Sequence, residues 1–127
     1  MARKFRILCV DDEETPLVLR KLLLQKAGYE VLTAGTAEEA LRIASSTEVD
    51  LILSDYLMPG TTGTELAQEF KRRNPKLPFV LISGVNDIPG DAAIADRFLS
   101  KVEGPEKLCQ ELAIVLGQSR DTPRVND

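Results

Sequence analysis

Histidine is missing from all 127 residues. Its absence excludes Ser-His-Asp and Cys-His nucleophilic catalysis, the usual zinc sites and a phosphohistidine carried by this chain. Any chemistry must draw on carboxylates, hydroxyls, lysine and a hard metal ion. Cysteine is scarce: Cys9 and Cys109 are the only two. They match neither a metal-ligand spacing nor a dense disulfide framework, and read as reduced core thiols. No apolar run approaches the roughly 18 residues that span a bilayer. A basic excess is also lacking, since 16 Lys and Arg stand against 20 Asp and Glu, a net charge of -4. Nucleic-acid binders usually carry a basic face, and Lys71-Arg72-Arg73 is too short to supply one. The basic start, Met1 to Arg6, runs straight into a strand-like segment without a small-residue cleavage site, which argues against a signal peptide. The expected location is the cytoplasm, with no contact to membrane or nucleic acid.

What is present suits a single domain. At 43% hydrophobic and 28% charged residues, the chain can bury a core and remain soluble. Short apolar runs alternate with stretches of helical period. Strands are expected over 5–10, 30–34, 51–54, 79–82 and 97–100. A helix over 16–27 would turn Leu19, Leu22, Leu23 and Ala27 to one side, with Thr15-Pro16 opening it and Gly28 stopping it. Thr36-Ala37-Glu38-Glu39 has the pattern of a capping box, opening a helix to about residue 44 with Ala40, Leu41 and Ala44 inward. Residues 63–73 carry Leu66, Ala67 and Phe70 on one stripe and end at Asn74-Pro75. A last helix over 105–116 brings Leu108, Leu112 and Leu116 into register. Between the last two strands only 91–95 could be helical, a short or irregular piece after Pro89-Gly90. The domain is placed at 1–117, with 118–127 a polar tail or linker.

Strands that are apolar throughout and separated by helices imply an α/β fold: a doubly wound, five-stranded parallel sheet with helices on both faces. The ligand crevice of such a sheet lies beyond the carboxyl ends of its strands. Asp11-Asp12 follows the first strand, with Glu13 and Glu14 behind, and Asp55 follows the third. Those strands are neighbours, so three carboxylates converge. Like charges about 4 Å apart repel by about 4 kcal/mol at an effective dielectric of 20. A hard dication such as Mg2+, which takes oxygen ligands, would offset that repulsion. Helix capping accounts for Glu13 and Glu14, but poorly for Asp11, Asp12 and Asp55 together. Ser83 and Lys101, at the ends of the fourth and fifth strands, add a hydroxyl and an ammonium able to bind an anion attached to one of the acids.

Val10-Asp11-Asp12, Asp55-Tyr56-Leu57-Met58-Pro59 with Gly63, Ser83-Gly84 and Lys101 resemble the receiver domain of bacterial two-component response regulators, of the chemotaxis-receiver kind, over about residues 6–116. The resemblance implies a flavodoxin-like strand order of 2-1-3-4-5 and a set of roles. Asp55 would be the phosphoacceptor, taking a phosphoryl group from a phosphohistidine on a sensor histidine kinase or phosphotransfer protein. Asp12 would bind Mg2+ directly, Asp11 mostly through water, and the Leu57 carbonyl would complete the protein's ligands; Mn2+ would be able to substitute for Mg2+. Ser83 and Lys101 would hold phosphoryl oxygens, and Phe98 would be the switching ring. The chain would then not be an enzyme in the ordinary sense, but a signalling domain catalysing its own phosphorylation and dephosphorylation. Its output would pass to a downstream protein or a separate output domain.

Three features depart from the family pattern. Val102 follows Lys101 where the family has proline, so a trans bond is expected. The short fourth helix removes the basis for the family's usual dimer. Leu57 and Val85 flank the path of attacking water and cannot orient it, so self-dephosphorylation should be slow. A phosphorylation-independent interaction module with the same fold is the alternative function. An aspartyl phosphatase is disfavoured, because Leu57 stands where a second Asp is needed. A flavodoxin-type phosphate loop at Thr61-Thr62-Gly63-Thr64 is disfavoured because it follows the third strand rather than the first.

Overall fold

The computed structural model describes residues 4–84 and 94–117. Val85, most of the 91–95 segment and the 118–127 tail lie outside them. The elements run β1 (Arg6–Val10), α1 (Glu14–Lys26), β2 (Glu30–Ala34), α2 (Ala37–Ser46), β3 (Leu51–Asp55), β4 (Leu57–Met58), β5 (Thr61–Thr62), α3 (Gly63–Arg73), β6 (Phe79–Ser83), β7 (Arg97–Ser100), a 3-10 turn (Lys101–Glu103) and α4 (Gly104–Val115). Five strands form one sheet in the order β2-β1-β3-β6-β7, and every pairing in it is parallel. With β6 and β7 counted as the fourth and fifth strands of this sheet, that is the expected order. β4 and β5 make a separate two-stranded antiparallel ribbon between β3 and α3.

Both faces of the sheet are covered, which is why its strands read as unbroken apolar runs. Ile7, Cys9, Leu51, Leu53 and Val80 pack with Leu24 of α1 and Leu112 of α4. The alternate residues Leu8, Val10, Ile52, Phe79 and Leu81 pack with Ala40 of α2 and with Leu66, Ala67 and Phe70 of α3. The strand period of two divides each strand between these layers.

Helix α3 follows its sequence pattern closely. Thr62 accepts from the Glu65 N–H while Glu65 reaches back to the Thr62 N–H, a full capping box. In α2, Thr36 likewise caps Glu39, but the Glu39 carboxylate bonds the Gly35 N–H instead, at 2.7 Å.

Helix α1 departs from its pattern. It starts at Glu14 with Glu13 as its cap residue and no side-chain cap bond, so Thr15-Pro16 lies within the first turn. The buried positions are Leu17, Arg20 and Leu24, whereas Leu19 and Leu22 are 62% and 56% exposed. Leu23 packs against the core only in part, and Ala27 is an exposed C-cap. The helix is therefore rotated from the orientation its leucines suggest. Gly28, at φ +103°, ends it as expected.

Candidate functional site

The parallel register brings the ends of β1, β3, β6 and β7 each to within one residue of its neighbour. Val10 pairs with Ser54, Asp55 with Ile82, and Ser83 with Ser100. Asp55 and Ser83 are thus the final residues of β3 and β6 rather than the residues just after them. The end of β3 is held by α3: the Gly63 N–H donates to the Tyr56 carbonyl at 2.7 Å. A Cβ on Gly63 would lie 2.5 Å from the Asp55 carbonyl oxygen and 2.5 Å from a Leu81 methyl. Only glycine allows this approach, which explains its place in the motif.

Among the described residues, one carboxylate oxygen from each of Asp11, Asp12 and Asp55 lies within 4.8 Å of the others. Asp12 is exposed, while Asp11 and Asp55 are buried. Neither buried acid is unpaired. Asp11 Oδ1 accepts from the Glu13 N–H at 2.9 Å, and its Oδ2 from Arg20 Nη1 at 3.2 Å. Asp55 Oδ1 lies 3.0 Å from the Lys101 ammonium. Burial pushes the Asp55 carboxyl above its ordinary pKa, with Asp11 adding to the rise; the Lys101 hydrogen bond and charge, and Arg20, act against it. An all-oxygen acidic set of this kind suits a small hard dication.

The offset to the repulsion is therefore not left to a dication and a remote ammonium. Two cations of the chain lie against two of the acids. Lys101 opens the 3-10 turn after β7, and the described chain has no cis peptide bond, so the Lys101–Val102 bond is trans as expected. Ser83 is buried. Phe98, half-buried on β7, packs edge-on to Tyr56 at a centroid distance of 6.0 Å and 65° between planes. Leu57 is 56% exposed at the start of β4.

Sequence reasoning missed Arg20. Its signal was one arginine between Leu17 and Leu24 on a single helical stripe, nine residues after Asp11. Hydropathy alone sent that residue to solvent.

A doubly wound parallel sheet with an acid cluster and an ion-paired lysine at its carboxyl edge defines a class of phosphoryl-handling α/β domains. The chain belongs to the response regulator receiver domain family, whose family model matches residues 7–113. It is 34% identical over 116 residues to the phosphate regulon transcriptional regulatory protein PhoB of Pseudomonas aeruginosa, covering 87% of this chain and 51% of that protein. It is 29% identical over 118 residues to the alkaline phosphatase synthesis transcriptional regulatory protein PhoP of Bacillus subtilis, covering 90% and 49%. The chain thus spans about half the length of these curated relatives. The crystal structure of response regulator protein TrrA of Thermotoga maritima, in complex with Mg(2+)-BeF, superposes with a TM-score of 0.82 at 32% identity, covering 87% of this chain and 98% of that one. The acidic pocket of Asp11, Asp12 and Asp55 fits a receiver's phosphoacceptor site. Among the described residues no helix is long and apolar enough to cross a membrane.

Proposed function

We propose that this chain takes a phosphoryl group from a phosphohistidine onto Asp55 and changes its protein contacts in response. The contact between Lys101 Nζ and Asp55 Oδ1, 3.0 Å, inside a cluster of three carboxylates carries this reading. Asp11, Asp12 and Asp55, with the Leu57 carbonyl, would hold Mg2+ or Mn2+. Bound there, the metal supplies charge neutralisation and orientation of phosphoryl oxygens. In the transfer, an Asp55 oxygen forms a bond to phosphorus while the phosphorus–nitrogen bond to the donor imidazole breaks. Lys101 exchanges its Asp55 contact for a phosphoryl oxygen, and the Ser83 hydroxyl donates to another. Phe98, already seated on Tyr56, answers the movement of Ser83. Positioning and charge neutralisation suffice for catalysis, because the donor brings the reactive bond.

The partner would be a cytoplasmic sensor histidine kinase or phosphotransfer protein. Val18, Leu19 and Leu22 of α1, exposed at 47%, 62% and 56%, offer it an apolar surface. The receiver unit would occupy 1–117, with 118–127 leading to an output domain or serving as a tail. With 16 Lys and Arg against 20 Asp and Glu, the chain carries no basic excess to draw it to nucleic acid.

Incubation with acetyl phosphate and Mg2+ tests the reading. One base-labile phosphoryl group should appear, Mn2+ should replace Mg2+, and Asp55→Ala should abolish the product. Failure to label would leave the phosphorylation-independent module. Self-dephosphorylation should be slow, because the apolar Leu57 side chain cannot orient water. Leu57→Asn should speed decay of the aspartyl phosphate several-fold, and an unchanged decay rate would refute the assignment.

A further inference from the structure

Arg20 is an arginine on the inward face of α1, only 8% exposed. Burying so large a cation is unfavourable unless a charge partner compensates. Its partner is Asp11, whose side chain is 0% exposed. The guanidinium holds Oδ2 while the Glu13 N–H holds Oδ1, so both oxygens of Asp11 already accept from the chain. Arg20 also acts on Asp55, where its charge opposes the rise caused by burial. With Lys101 on Asp55, two fixed cations face three carboxylates, leaving one excess negative charge in the pocket.

That count has a consequence for any dication. An incoming dication meets a nearly neutralised cluster and must share Asp11 with a guanidinium. Once it is bound, the pocket carries one excess positive charge, which favours a phosphoryl dianion. Arg20 and Lys101 also line one groove of about 450 Å³ beside α1 and the start of α4, so the guanidinium has room to withdraw from Asp11.

We propose that Arg20 is a built-in counterion that competes with Mg2+ for the carboxylate cluster, stabilising the metal-free receiver and weakening its hold on the metal. Arg20 is thus a positioning residue, acting through Asp11. The proposal rests on the reading of Asp11, Asp12 and Asp55 as the metal site.

Thermal unfolding of the full chain across a Mg2+ titration, with EDTA as the zero point, tests this; the midpoint shift gives an apparent affinity. Arg20→Gln removes the charge but keeps a donor for Asp11. It should lower the midpoint in EDTA, recover most of the loss at saturating Mg2+, and bind Mg2+ roughly five- to tenfold more tightly, at the low end of ordinary coupling between sites. Arg20→Lys, which keeps the charge, should return the affinity to within about twofold of the parent, well below that coupling. If Arg20→Gln folds only with Mg2+, that also supports the proposal. An equal midpoint loss with and without Mg2+, an unchanged or weaker Mg2+ affinity, or failure to fold in either condition would overturn it, since each marks a purely structural arginine. A parent protein with no response to Mg2+ would instead refute the metal site itself.

Discussion

Helices α1 and α3 flank the acid pocket, α1 following β1 through Asp11 and Asp12 and α3 following β3 through the β4–β5 ribbon, yet they are built on opposite terms. In α3 the apolar stripe and the buried stripe coincide: Leu66, Ala67 and Phe70 face inward, and a full capping box closes the N-terminus. In α1 the cap is missing, an arginine points inward, and three large apolar side chains face water. A helix whose inward face only packs shows that face in its hydropathy. A helix that must also deliver a charge to a site turns to satisfy the charge, and its outward leucines become available to a partner. Leaving the buried Asp11 carboxylate without its cation would cost about 3–5 kcal/mol, more than the roughly 1.5–3 kcal/mol gained by burying one more leucine.

The sharpest way to break this comparison is to truncate the inward side chains of each helix. Phe70→Ala in α3 should lower unfolding free energy by about 3–5 kcal/mol, and Leu24→Ala in α1 by about 2–5 kcal/mol. Denaturant titration would measure both, and a small loss at Leu24 would mean that α1 is not seated as described. A smaller effect separates the caps. Thr62→Ala should cost about 1 kcal/mol, whereas Glu13→Ala, with no side-chain cap bond to lose, should stay within about 0.5 kcal/mol.

Asp55→Asn probes the second buried carboxylate of the pocket, which faces Lys101. Because burial raises the folded-state pKa of Asp55 above its unfolded value, its ionisation destabilises the fold. That loss develops as pH rises from the ordinary carboxylate range through the raised value. Asp55→Asn should therefore raise the melting midpoint at pH 7, with the gain fading as pH falls into the acid range. A gain independent of pH would show that the carboxylate charge is not its source. The smallest effect is expected at the outward leucines. Leu19→Ser and Leu22→Ser should each change stability by about 0.5 kcal/mol or less, and a larger loss would return these side chains to the core.

Much of the fold was legible along the chain. The parallel sheet showed in the unbroken apolar runs at Ile7–Val10 and Phe79–Ile82, and α3 in Leu66, Ala67 and Phe70 on one face with Asn74-Pro75 at its end. The meeting of Asp11, Asp12, Asp55 and Lys101 at one edge was legible because strand ends in such a sheet lie side by side. Arg20 was not, since an arginine within a helix pattern reads as solvated unless its buried partner is known. The β4–β5 ribbon was also missed: two-residue strands are too short to show any period.

Local chemistry settled where the apolar strands lie and where α3 begins and ends, because these depend on neighbours within a few positions. The rotation of α1 about its own axis, the seating of Lys101 on Asp55 and the pairing of Arg20 with Asp11 were decided only when distant segments met. A helix fixes which residues share a face, but the charges and surfaces it meets across the sheet determine which face turns inward.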